Sequence, residues 1–149
     1  MSDYRKKAEE LFLEGYNCAQ AVFCAFADQM EIEKELALKL SSSFGGGMGR
    51  MREVCGAVSG MFMVLGALEG YSSPEDNNEK KELYSKVQKL AEEFKNENGS
   101  IICRELLGAG VSQTPTPSER TTEFYKKRPC KEYVGIAAEI LAKHLGLED

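Results

Sequence analysis

Apolar positions recur along this chain at three- and four-residue intervals and nowhere in a sustained two-residue alternation, so the pattern predicts helices throughout. The stretch 54–68 carries no charged residue and is mostly apolar. A helix that is apolar on every side is a buried one. Residues 51–69 are therefore expected to form a central helix wrapped by the others. Gly56 and Gly60 lie four apart on one of its faces, where the missing side chains admit another backbone or a ligand. Ahead of it, a helix over 3–13 is expected, capped by Ser2 and closed by Gly15. Asn17 reads as the N-cap of a second helix, in which Cys18, Ala21, Val22, Ala25 and Phe26 recur at helical spacing through to Met30. A third helix, over 33–42, places Leu36 and Leu40 on one side, and the glycine run ends it.

Beyond the central helix, Ser73-Pro74-Glu75-Asp76 has the composition of a helix start. Leu83, Val87, Leu90 and Phe94 mark the buried stripe of a helix that reaches Asn98 and stops at Gly99. Ser100 is expected to cap a short helix through Leu107. Residues 108–118 hold two prolines one residue apart, which break a helix, and read as a surface loop in preference to a mobile lid. Thr116-Pro117 reads as the cap of a short helix through Tyr125. Pro129 starts the last helix, with Tyr133, Val134, Ala137, Leu141 and Leu145 inward and Gly146 closing it. The expected fold is all-α: a compact bundle of six or seven helices around one buried helix (51–69), in a single domain over 1–149.

Composition narrows the function classes. A net charge of −5 over 149 residues argues against a general nucleic-acid or anionic-membrane binder. The first residues, MSDYRKKAEELF, lack the apolar core of a signal peptide. The apolar run of the central helix is shorter than the ~20 residues a membrane span needs. The chain is expected to be cytoplasmic, with no membrane span and no nucleic-acid partner.

Five cysteines are many for this length. In a reducing compartment they point to redox chemistry, metal binding or burial. Cys18, Cys55, Cys103 and Cys130 each fall at an expected helix start, where unpaired backbone N–H groups and the helix dipole stabilise a thiolate. Cys55 is the expected attacking thiol, because arginines and the glycine run flank it. Cys24 lies about 240° around its helix from Cys18 and reads as a core residue. The run Gly45, Gly46, Gly47, Gly49 with Arg50 and Arg52 has two readings: a loop whose N–H groups bind an anionic cofactor, or a tight chain reversal. It lacks the lysine and spacing of a phosphate-binding loop, and reversal is preferred. His144 sits near a helix end as a surface charge. No C-x-x-C is present, so neither a thioredoxin motif nor a zinc knuckle is expected.

Asn17-Cys18-Ala19, the Gly45–Gly49 run, Cys55-Gly56-Ala57-Val58-Ser59-Gly60 and single cysteines at 103 and 130 together resemble a family of redox-active proteins named for its cysteine pattern, C_GCAxxG_C_C. The resemblance covers nearly the whole chain. It implies that Cys18, Cys55, Cys103 and Cys130 are the family's four cysteines, that Cys24 is an extra, and that the role is redox. The leading expectation is a thiol–disulfide oxidoreductase-like protein that uses these four cysteines, needs no cofactor, and meets a redox protein or a small thiol. The alternative makes the same four cysteines ligands of zinc or an iron–sulfur cluster. Against that stands their spacing, more than 25 positions between successive signature cysteines. A third reading is a helical interaction module that forms homo-oligomers.

Overall fold

A computed structural model describes residues 2–108 and 110–147. It is all-α, with nine right-handed helices and no strand among the described residues. They are α1 (Asp3–Leu13), α2 (Cys18–Ala25), α3 (Ala27–Met30), α4 (Lys34–Ser42), α5 (Gly56–Glu69), α6 (Asn77–Asn98), α7 (Cys103–Leu107), α8 (Thr122–Lys127) and α9 (Cys130–Leu145). None of the described helices is long and apolar enough to cross a membrane.

The centre is shared by two helices. α2 packs on α1, α4, α5 and α9, and Ala19 and residues 21–25 are buried in it. α5 is buried from Gly56 to Met61 and at Val64 and Leu65, and its last turn is exposed. The seam between them is unusually close because α5 offers glycines. A side chain at Gly60 would come within 2.8 Å of the Ala19 carbonyl oxygen, and one at Gly56 within 3.1 Å of the Ala19 nitrogen. The Gly-x-x-x-Gly spacing thus lets α2 lie directly against α5. It sets Cys18, the first residue of α2, beside the start of α5.

Several boundaries differ from the pattern-based expectation. The central helix begins at Gly56, not near residue 51, because Arg52 has φ +62° and Val54 forms an antiparallel bridge with Ile102. The second helix divides at Phe26, which leaves right-handed geometry (φ −105°, ψ 14°). That division adds one helix, and the nine among the described residues are close to the expected six or seven. Leu36 and Leu40 share one side of α4, but they face outward, about half exposed; the small Ala37 and Ser41 face α2 instead. α6 is capped by Asp76, with Pro74 in the preceding turn. Ile102 is the N-cap of α7, and Ser100 supports it by accepting a hydrogen bond from the Ile102 N–H. α8 starts at Thr122 under a Thr121 cap, not at Thr116-Pro117.

Candidate functional site

Four segments distant in sequence bring cysteines to one cleft. Cys18 opens α2, Cys55 immediately precedes α5, Cys103 opens α7 and Cys130 opens α9. All four line a cavity of about 440 Å³. Cys24 lies outside it, buried in the core. All five cysteines are free thiols. Cys55, Cys103 and Cys130 are buried, while Cys18 keeps partial contact with solvent.

Local chemistry explains each placement. Asn17 caps α2 by a reciprocal pair: its side chain accepts from the Gln20 N–H, and the Gln20 side chain accepts from the Asn17 N–H. Its amide also donates to the Ser42 carbonyl at 3.1 Å, and a side chain at Gly45 would collide with it. Cys55 and Cys103 are joined through the backbone. The Cys55 N–H donates to the Ile101 carbonyl (2.8 Å), and the Cys103 N–H to the Glu53 carbonyl (2.6 Å). Between these anchors runs the glycine segment. Gly46, Gly47, Met48, Gly49 and Arg50 all have positive φ, from +61° to +73°. This is a left-handed turn, and glycine enters it without the steric cost that other residues meet. It closes with Glu53 N–H donating to the Gly47 carbonyl at 2.9 Å. A Cβ on Gly47 would lie 2.7 Å from the Cys103 Cβ and 2.8 Å from the Arg52 Cα. The glycines reverse the chain as expected, and they also let Cys103 approach.

The thiols differ in acidity. Cys18 is lowered to about 7; the largest cause is the Cys130 thiol donating a hydrogen bond to its sulfur. Burial opposes this, while the Gly46 N–H, the Arg120 charge and the Cys18 N–H favour the thiolate. The anion that the glycine segment faces is thus a thiolate of the chain itself. Cys130 is raised, first because its proton is held by Cys18, then by burial. Cys55 is raised by burial and then by the Cys18 charge. Cys103 is raised by burial, although Arg52 Nη1 donates to its sulfur at 3.7 Å and opposes the shift. The most acidic thiol is therefore Cys18 and not Cys55, whose shift is led by desolvation.

A pH dependence follows. Cys18 binds its proton less tightly in the folded chain than in the unfolded one, whose thiol titrates at ~8.5. Between about pH 7 and that value the unfolded chain carries more protons, so this thiol's contribution to stability grows as pH rises and is lost as pH falls through 7. Chemical denaturation of wild type and Cys18→Ser across pH 6–9 should show a stability difference that moves in wild type's favour over this window. A difference that is flat with pH would contradict the assignment.

Four arginines line the same cleft, Arg50, Arg52, Arg120 and Arg128, and among the described residues no Asp or Glu does. Arg50 Nε donates to the Thr114 carbonyl (2.7 Å) and its Nη1 to Ser118 Oγ (3.1 Å). Arg52 Nε donates to the Ser112 carbonyl (2.9 Å). These bonds fasten the 112–118 loop over the glycine turn. Arg120 stacks on Phe12, 4.3 Å from the ring centre, and donates to the carbonyls of Phe12 and Tyr16. Sequence reasoning singled out Arg50 and Arg52 but missed Arg120 and Arg128. Arg128 stands two residues before Cys130, a local signal that was available; Arg120 carries none.

Among the described residues no three His, Cys, Asp or Glu side chains converge closely enough to hold one metal ion. The zinc or iron–sulfur alternative does not fit this arrangement of Cys18, Cys55, Cys103 and Cys130. The family model described as "Putative redox-active protein (C_GCAxxG_C_C)" matches residues 16–144. The chain belongs to this family. The match starts just before the Asn17 cap and runs into the last helix, so it takes in all four C_GCAxxG_C_C cysteines and both glycine motifs. No curated protein and no solved structure matches the chain. In this C_GCAxxG_C_C protein the glycines of CGAxxG seat α2, and Gly45 and Gly47 make room for the Asn17 cap and for Cys103.

Proposed function

We propose that the protein exchanges electrons through a dithiol–disulfide cycle, with Cys18 as attacking thiolate and Cys130 as resolving thiol. The Cys18 thiolate attacks one sulfur of a disulfide R–S–S–R, forms the mixed disulfide Cys18–S–S–R and releases RS⁻, which takes a proton from water. The Cys130 thiol then loses its proton and attacks Cys18 Sγ. A Cys18–Cys130 disulfide forms and a second RS⁻ leaves. The protein has given up two electrons and the substrate has become two thiols; the reverse sequence oxidises a dithiol.

The observation that carries this reading is that Cys18 and Cys130 meet in one cleft, and that Cys18 is the least buried residue of the four. The order of steps has its own logic. Two of the three leading causes that keep Cys130 protonated are its hydrogen bond to Cys18 and the Cys18 charge. Both vanish once Cys18 is in a mixed disulfide, so the resolving thiol is activated only when it is needed. Cys55 and Cys103 stand beside the pair as protonated thiols. Such a cycle suits a reducing compartment such as the cytoplasm, where a disulfide is transient.

Titration with a glutathione redox buffer, alkylation of the remaining thiols and peptide mapping tests this. A Cys18–Cys130 disulfide should appear first, with Cys24, Cys55 and Cys103 alkylated. Five alkylated thiols at every potential would remove the proposal.

A further inference from the structure

We infer that the cleft seats the carboxylate of a small anionic substrate on Arg52, next to the cysteine pair. The inference names a substrate class for the site above and rests on that redox reading only for its chemistry.

Arg52 is 2% exposed, yet its Nη2 has no partner; among the described residues it is the single buried side-chain nitrogen or oxygen left so. Buried polar groups are almost always hydrogen-bonded, and a charged one more so, so an unmet donor on a residue that lines the cavity marks a place for an acceptor. Of the other nitrogens of this side chain, Nε donates to the Ser112 carbonyl and Nη1 to the Cys103 sulfur. The guanidinium is thus fixed in orientation with one N–H edge free.

The surrounding charge points the same way. Four arginines and, among the described residues, no carboxylate line the cleft, in a chain whose net charge is −5. Arg50 is lowered by burial and then by repulsion from Arg52 and Arg128, as expected of cations crowded without a counter-ion. The Cys18 thiolate offsets one positive charge; a bound anion would offset another. Arg50 and Arg120 spend their donors on backbone carbonyls and Ser118, and act as positioning residues. A planar carboxylate matches the parallel N–H groups of one guanidinium. A volume of about 440 Å³ takes a small molecule, not a folded partner. Arg52 also holds a left-handed backbone, φ +62°, a strain of the kind found at ligand clamps.

Two matched pairs of probes test it. Suberate and hexane-1,6-diol are redox-inert and differ in charge; dithiodipropionate and bis(2-hydroxyethyl) disulfide are their disulfide counterparts. By calorimetry suberate should bind wild type about tenfold or more tighter than the diol, the range of a charge-assisted hydrogen bond. The anionic disulfide should oxidise the protein faster than the neutral one by a similar factor, after each rate is normalised to that with free mercaptoethanol. Arg52→Gln should bring the ratio of anionic to neutral binding, and of anionic to neutral oxidation rate, to about one, whatever it does to either rate alone. Equal binding of suberate and diol to wild type overturns the inference, whether or not the variant folds. A variant that loses both disulfide rates alike also overturns it, because Arg52 would then serve only the cysteines. Tight suberate binding with no oxidation by either disulfide keeps the anion seat and removes the redox reading. Oxidation by both disulfides without charge preference does the opposite.

Discussion

Cys18→Ser should slow oxidation of the protein by a small disulfide at pH 7 by about a hundredfold or more. Wild type holds its most acidic thiol at about 7, so roughly half of it is thiolate at that pH. Every other cysteine with a resolved shift, Cys24, Cys55, Cys103 and Cys130, is moved upward. Loss of the Cys18 charge relieves Cys130 in part, but burial still holds its proton. Cys130→Ser should behave differently. The first attack proceeds, the resolving step cannot, and the chain accumulates as a Cys18 mixed disulfide visible as a mass adduct of one RS group. Comparable rates in wild type and Cys18→Ser would show that another thiol attacks. An unmodified Cys130→Ser chain would show that the two residues do not act in sequence.

The second large effect concerns Gly47. Gly47→Ala should destabilise the fold by about 2–5 kcal/mol, the sum of a left-handed alanine and an overpacked contact. The contacts that a Cβ would meet at 2.8 and 2.9 Å are backbone atoms, the Arg52 Cα and Glu53 N, so no rotamer change relieves them. Gly49→Ala is the control. Its φ is +61°, but the nearest atom lies 3.7 Å away, so it should lose only the conformational part, about 1–2 kcal/mol. Urea denaturation of both variants measures the gap. Equal losses would mean that the close approach of Cys103 to the turn costs nothing to disturb.

The cysteines' setting was legible in the sequence because caps are local. Asn17 before Cys18 and Pro129 before Cys130 announce helix starts, and the structure has N-caps at both. The segment from Met51 to Cys55 was not legible. Its departure from helix depends on Met48, Arg50 and Arg52, non-glycine residues in left-handed geometry, and on a bridge between Val54 and Ile102, far apart in sequence. No periodicity records either fact. The relative acidity of the thiols was likewise hidden. Cys55 has the more basic neighbours in sequence, but depth in the fold decides, and Cys18 gains Cys130 and Arg120 only through tertiary packing. Leu36 and Leu40 do share one side of α4, but spacing alone does not say which side is inward; the close helix contact selects the small Ala37 and Ser41.

The strap over the cleft is tied mainly through its main chain. Arg50 and Arg52 grip the carbonyl oxygens of Thr114 and Ser112, groups that every amino acid supplies. Of the side chains along 112–118, Ser118 accepts from Arg50 and Gln113 donates to the Met51 carbonyl, whereas Pro115 and Pro117 take no part in these ties. Substitution at Pro115 or Pro117, which border the cleft, can therefore reshape its mouth while the knot stays tied.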